Sequence, residues 1–214
     1  MSGNTIAAKN DTVDLSRIRQ PKVRTFLQEQ QLVTTADFAK LKSFSISNPA
    51  MADFSHHIKK FVVAADIEKV WHTYKHIHPK YAWNGNIVTF GLQYSKPKNA
   101  LTYIDDVYEG IEVGQIIFIN VAFFGGLVNI AVGHEVTDVN EADKSFRTCY
   151  LLSGKAAGTQ QISLKKTADG FTEITHHTIY RSDSKFRDNV LYPFLHTQAI
   201  TEFHGNIKAQ VVKR

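Results

Sequence analysis

The stretch "RDNVLYPFLHTQAITEFHGNIKAQV", Arg187 to Val211, decides how the rest of the chain is read. On a helix turning about 100° per residue, with His196 as zero, Ile200, Phe203 and Ile207 fall within about 40° of it. Tyr192 lies about 40° to the other side. The spacing therefore predicts one long helix over 184–212, with Tyr192 and His196 as the polar points on its apolar stripe. Glu202 falls about 120° away, on the polar side, and His204 at the stripe edge, about 80° round. A metal cluster built from these two histidines and the glutamate is excluded on a regular helix. The paired-histidine zinc motif needs i, i+4 spacing, which is absent here. Pro193 would cost about 3 kcal/mol in a helix interior, so the helix either begins near Asp188 to Leu191 or bends there.

Upstream of this helix the pattern is β-rich. Candidate strands cover 87–94, 101–105, 114–123, 127–138, 145–153, 159–166 and 171–181, joined by turn residues such as Asp169-Gly170. Consecutive strands with short turns imply an antiparallel meander. Before it, "HHIKKFVVA" reads as a strand that starts with exposed histidines. "DIEKVWHTYKHIH" reads as a helix capped by Asp66, with Ile67, Val70, Trp71 and Tyr74 on one face. "HPKYAWNGN" follows as a short turn, and "AFFGG" as a strand end leading into an apolar loop at a cavity mouth. The order defines an α+β fold: a curved antiparallel sheet gripping a long C-terminal helix.

The N-terminal part is separate in character. Residues 1–52 read as an extension with two short helices, "KVRTFLQEQQL" and "TADFAKLKSF", the second with Thr35 as its N-cap, and 53–214 as the main domain. "SISNPAMAD" is the linker between them.

Composition bounds the function classes. The chain has 214 residues, 43% hydrophobic and 21% charged, enough for a core without disulfide staples. Its single cysteine, Cys149, excludes an internal disulfide and alternates away from the interior face. The opening residues lack a secretory apolar run, and "IIFINVAFFGGLVNIAV" is broken by Gly125 and Gly126 and reads as two strands. A cytoplasmic protein without stable membrane insertion is the default reading. Net charge is +5, but the basic residues are scattered. "RIRQPKVR" is a solvated segment rather than a nucleic-acid site. His72 and His76 have zinc spacing without a third ligand, so no metal and no other cofactor is expected.

The region from about 55 to 212 resembles the START-like, or helix-grip, superfamily, which includes lipid-transfer domains, pollen-allergen-type carriers and polyketide cyclase-like proteins. The resemblance rests on "IKKFVVAADIEKVWHTY", on the run of strands and on the terminal helix. It implies a cavity between sheet and helix. The chain departs from that pattern in its N-terminal extension and in the shortness of "HPKYAWNGN", where such proteins usually carry a helical segment.

Period two places His134, Tyr150, His176 and Tyr180 on strand faces that look at the terminal helix. With Tyr192 and His196 they form the candidate ligand-binding set. Apolar walls with a few polar points fit a small apolar molecule or a lipid. The alternative is a cyclase- or hydrolase-like enzyme with His196 or His176 as general base. No Gly-rich phosphate loop, nucleophile elbow or carboxylate pair is present, so binding ranks above catalysis. A homodimer is left open.

Overall fold

A computed structural model of the chain describes residues 11–45, 47, 53–154, 156–182, 184, 188 and 191–213. Its elements, in chain order, are α1 (Pro21–Glu29), α2 (Thr35–Ala39), β1 (Ser55–Val63), α3 (Ile67–His76), α4 (Pro79–Ala82), β2 (Val88–Ser95), β3 (Ala100–Thr102), β4 (Gln115–Phe123), β5 (Val128–Asn140), β6 (Ser145–Tyr150), β7 (Ala157–Lys166), β8 (Thr172–Arg181) and α5 (Tyr192–Lys213). The strands form one antiparallel sheet in the order β1-β8-β7-β6-β5-β4-β2-β3. The first strand thus pairs with the last, along nine residues from Ser55↔Tyr180 to Val63↔Thr172.

Helix α5 crosses one face of this sheet, as expected from the stripe. Phe203, Ile207 and Val211 pack with Val70, Trp71 and Tyr74 of α3 and with Phe146, Ile162 and Ile174 of the sheet. Nearer its start, Leu195 and Ala199 pack on Val88, Ile119 and Val121. The helix begins at Tyr192, which puts Pro193 in its first turn. There the missing N–H costs no intrahelical bond, so no bend is needed.

Local chemistry fixes the other helices. Asp66 Oδ1 accepts the Glu68 N–H at 2.9 Å, capping α3, whose last turn carries Lys75 and His76. The cap of α2 is Thr34, one residue before the expected Thr35: Asp37 reaches back to accept both the Thr34 N–H (2.9 Å) and its hydroxyl (2.8 Å). "HPKYAWNGN" is more than a turn, because Pro79 starts a single helical turn capped by His78. Strand β3 is shorter than expected, since Tyr103 N–H turns to the Asp106 carboxylate at 2.9 Å instead of continuing the ladder.

The N-terminal segment covers the opposite face of the sheet. Ile18, Val23, Leu27, Leu32 and Phe38 share a core with Leu92, Tyr94, Ile116 and Phe118. Gly91 in β2 permits this approach, for a Cβ there would lie 2.9 Å from the Val23 methyls. Cys149 faces this outer side and packs under Phe44 and Phe54.

Candidate functional site

Between α3, α4, α5 and the sheet lies a cavity of about 60 Å³. That is room for about four waters. Its walls are mainly apolar, including Ile77, Trp83, Phe146, Ile162 and Phe203, and its polar groups are Tyr74, Tyr108, His134, Thr148, Gln160 and His176.

These polar groups are set by register. His57, Thr178, Gln160 and Thr148 stand in one row across β1, β8, β7 and β6. Helix α5 adds His196 and His204 above that row. The result is one hydrogen-bonded network. The Tyr74 hydroxyl is 2.5 Å from His204 Nδ1, and His204 Nε2 is 2.9 Å from His176 Nδ1. His176 Nε2 meets the Gln160 amide at 2.8 Å, and the far side of that amide meets His134 Nε2 at 2.8 Å. His196 Nε2 joins Gln160 at 3.4 Å, while His196 Nδ1 is 3.1 Å from His57 Nδ1. His57 Nε2 is 3.0 Å from Thr197 Oγ1, which donates to the Pro193 carbonyl at 2.6 Å.

Burial keeps the rings of this network neutral at pH 7. It lowers His134 to about 4 and His204 to about 3, and it holds His176 and His196 well below the ordinary imidazole value, with neighbouring histidines adding to the effect. His57 is lowered too, by burial and then by Lys59. Burial likewise raises the Tyr74 and Tyr150 hydroxyls.

The six residues singled out from sequence are brought together, but in two groups. His134 and His176 line the cavity. His196 is in the network without lining the cavity. Tyr150, Tyr180 and Tyr192 cluster at the start of α5: the Tyr150 and Tyr192 hydroxyls are hydrogen-bonded, and the Tyr192 ring stacks on Tyr180 (3.6 Å) and on His196 (4.9 Å). Tyr180 donates to the Asp188 carbonyl at 2.6 Å. The Tyr150 ring, 4.7 Å from His134, links the two groups.

The sequence reading missed Tyr74, His57, Gln160, Thr148 and His204. His57 is 8% exposed and faces α5, contrary to the expectation of a solvent-facing histidine at the start of β1; only His56 points outward. Period two carries that signal, since His57 alternates with His56 and shares a face with Phe61 and Val63. His204 is fully interior, because α3 closes over the side of the stripe on which it lies. His72 and His76 are exposed, and no group of potential metal ligands occurs among the described residues.

An eight-stranded antiparallel sheet gripping one long helix is the helix-grip fold of the START-like and Bet v 1-like proteins. Solved structures bear this out. Ginseng major latex-like protein 151 from Panax ginseng matches with a TM-score of 0.54 at 13% identity, over 73% of this chain and 97% of its own. Norcoclaurine synthase from Thalictrum flavum, in complex with dopamine and hydroxybenzaldehyde, matches with a TM-score of 0.54 at 14% identity, over 82% of this chain and 97% of its own. Ara h 8.0201 matches with a TM-score of 0.51 at 12% identity, over 75% and 99%. No family model matches the sequence, and no curated protein matches it. No helix among the described residues is long and apolar enough to cross a membrane.

Proposed function

We propose that this protein binds a small, mostly apolar molecule in the cavity under α5. The observation that carries the reading is the composition of that cavity: aromatic and aliphatic walls with Tyr74, Tyr108, His134, Thr148, Gln160 and His176 as a few convergent polar groups. The volume of about 60 Å³ is far below what a long-chain lipid needs, and a single ring enters with a smaller outward shift of α5 or α4. Norcoclaurine synthase, with the same fold, holds two small aromatic compounds, which adds support by analogy only.

Catalysis by a histidine base is the second reading and is less favoured. Both nitrogens of His176 are engaged by His204 and Gln160, and His196 does not line the cavity. Native mass spectrometry and thermal-shift titration of the full chain, with small aromatics and with dodecanoate, test the binding reading. Aromatics should bind and raise the melting temperature, and Thr148→Met, which fills the cavity, should abolish the shift. Absence of any adduct or shift, or a shift that survives Thr148→Met, would refute it.

A further inference from the structure

The protons of the buried network can be counted, and the count fixes what the cavity offers a ligand. Thr197 Oγ1 is 2.6 Å from a carbonyl oxygen, so its proton lies on that contact. His57 Nε2 must then be the donor to Thr197 Oγ1. A neutral His57 has an accepting Nδ1, which takes the hydrogen of His196 Nδ1. That leaves His196 Nε2 as an acceptor, beside His176 Nε2, both facing one end of the Gln160 amide.

An accepting His196 Nε2 requires a hydrogen from the amide nitrogen, and the second hydrogen of that nitrogen makes His176 Nε2 an acceptor as well. An amide's oxygen and nitrogen exchange places by a half-turn, so the network decides between them. In the structure the oxygen stands toward His176 and His196 and the nitrogen toward His134; the proton count turns the amide over, so that its nitrogen donates to His176 and His196 and its oxygen accepts from His134 Nε2. Onward, His176 Nδ1 donates to His204 Nε2, and His204 Nδ1 donates to the Tyr74 oxygen. The chain closes with no charged ring. Two groups are left over, the Tyr74 proton and the His134 Nδ1 lone pair, the latter without a hydrogen-bond partner among the described residues. Both residues line the cavity.

The opposite amide orientation, oxygen toward His176 and His196, makes both rings donate through Nε2. His196 Nδ1 must then accept from His57, which also donates to Thr197, so His57 becomes an imidazolium. The chain reverses: the Tyr74 O–H donates a hydrogen bond to His204 Nδ1, and His134 Nδ1 carries a hydrogen. The groups facing His57 are His196 and Thr197 from α5, His176 and Thr178 from β8, and Lys59 on its own strand. The carboxylate at this end, Asp188, is held by the Ser182 N–H and faces Tyr180 and Tyr192.

We propose that the neutral network presents the cavity with one donor, Tyr74 O–H, and one acceptor, His134 Nδ1, and that one proton on His57 reverses that polarity. The network therefore selects a small apolar molecule with one acceptor group and one donor group at this end of the cavity, apart from the Thr148 and Tyr108 hydroxyls that also line it. This rests on the binding reading above, but the network itself is observable without a ligand.

Nitrogen-15 NMR of the histidine rings in the full chain distinguishes the tautomers. At pH 7.5, His176, His204 and His196 should carry hydrogen on Nδ1, and His134 and His57 on Nε2. On acidification, the tautomers of His196, His176, His204 and His134 should invert as His57 charges. Inverted tautomers at pH 7.5, or tautomers that ignore the charging of His57, overturn the inference whatever binds. Benzamide, with acceptor and donor, should bind about fivefold tighter than acetophenone, an acceptor alone, at pH 7.5. Equal affinities overturn the assignment of ligand class. The stated tautomers with neither probe bound overturn the binding reading instead.

Discussion

Glu202 occupies the space that Gly85 leaves open: a Cβ on Gly85 would stand 1.9 Å from the Glu202 carboxyl carbon. Through that gap the carboxylate accepts the backbone N–H groups of Asn86 (2.7 Å), Ile87 (2.9 Å) and Val88 (2.7 Å). The polar side of α5 is thus riveted to the start of β2. Charge-assisted hydrogen bonds of this kind contribute more than neutral ones. Glu202→Ala should lower unfolding free energy by about 2–4 kcal/mol in urea titration, since three donors lose their acceptor. Gly85→Ala should cost a similar amount by expelling the carboxylate. A neutral result for both would show that the turn holds without the rivet.

Acid should weaken the fold earlier than carboxylate titration alone. An imidazole kept neutral by burial has a folded pKa below its unfolded value of about 6.5. Between those two values the unfolded chain binds more protons, so stability falls as pH falls. For His134 that window runs from about 6.5 down to about 4, and for His204 down to about 3. Each such group removes about 1.4 kcal/mol per pH unit within its window. Urea unfolding at pH 5 and pH 7 should differ accordingly. His134→Phe should reduce the slope, and a flat profile over that range would contradict the burial of these rings as neutral groups.

The N-terminal segment should be indispensable to the sheet it covers. Phe38 is fully buried, 5.4 Å from the Tyr94 ring and edge-on to Phe118 at 5.7 Å. Phe38→Ala should cost about 3–5 kcal/mol by chemical denaturation. A chain beginning at residue 53 would bare Leu92, Tyr94, Ile116 and Phe118, and should aggregate on size exclusion. A monodisperse truncated domain of undiminished melting temperature would mean that the outer face tolerates water.

The fold was legible because two periods change at clear points. Alternation in β5 to β8 put His134, Tyr150, His176 and Tyr180 toward the helix, and the α5 stripe placed His196 above them. Other features were less legible, for physical reasons. The role of Glu202 needs the backbone of 86–88 to converge on it, which no helical wheel contains. Gln160 as the hub of the network follows from the alignment of β7 beside β8, a register that sequence specifies only through its neighbours. The seat of the extension left a trace: "IIFINVAFF" is apolar at nearly every position, and a strand buried on both faces reads that way.

The tyrosine cluster at the start of α5 should prove to be an anchor for the helix, separate from ligand contact. Tyr192→Phe keeps the ring stacked between Tyr180 and His196 but removes the hydroxyl that pairs with Tyr150. Tyr150 is buried, so its hydroxyl loses a partner that water cannot easily replace. The expected cost is about 1–2 kcal/mol in unfolding free energy. Affinity for benzamide should change less than about twofold, because the cavity lies beyond His134 and keeps its own hydrogen-bonding groups. His134→Phe should do the reverse, lowering benzamide affinity about fivefold by removing the acceptor. The pair of variants separates anchor from site: if Tyr192→Phe weakens binding as much as His134→Phe does, the tyrosines belong to the binding surface and the cavity extends to the end of the helix.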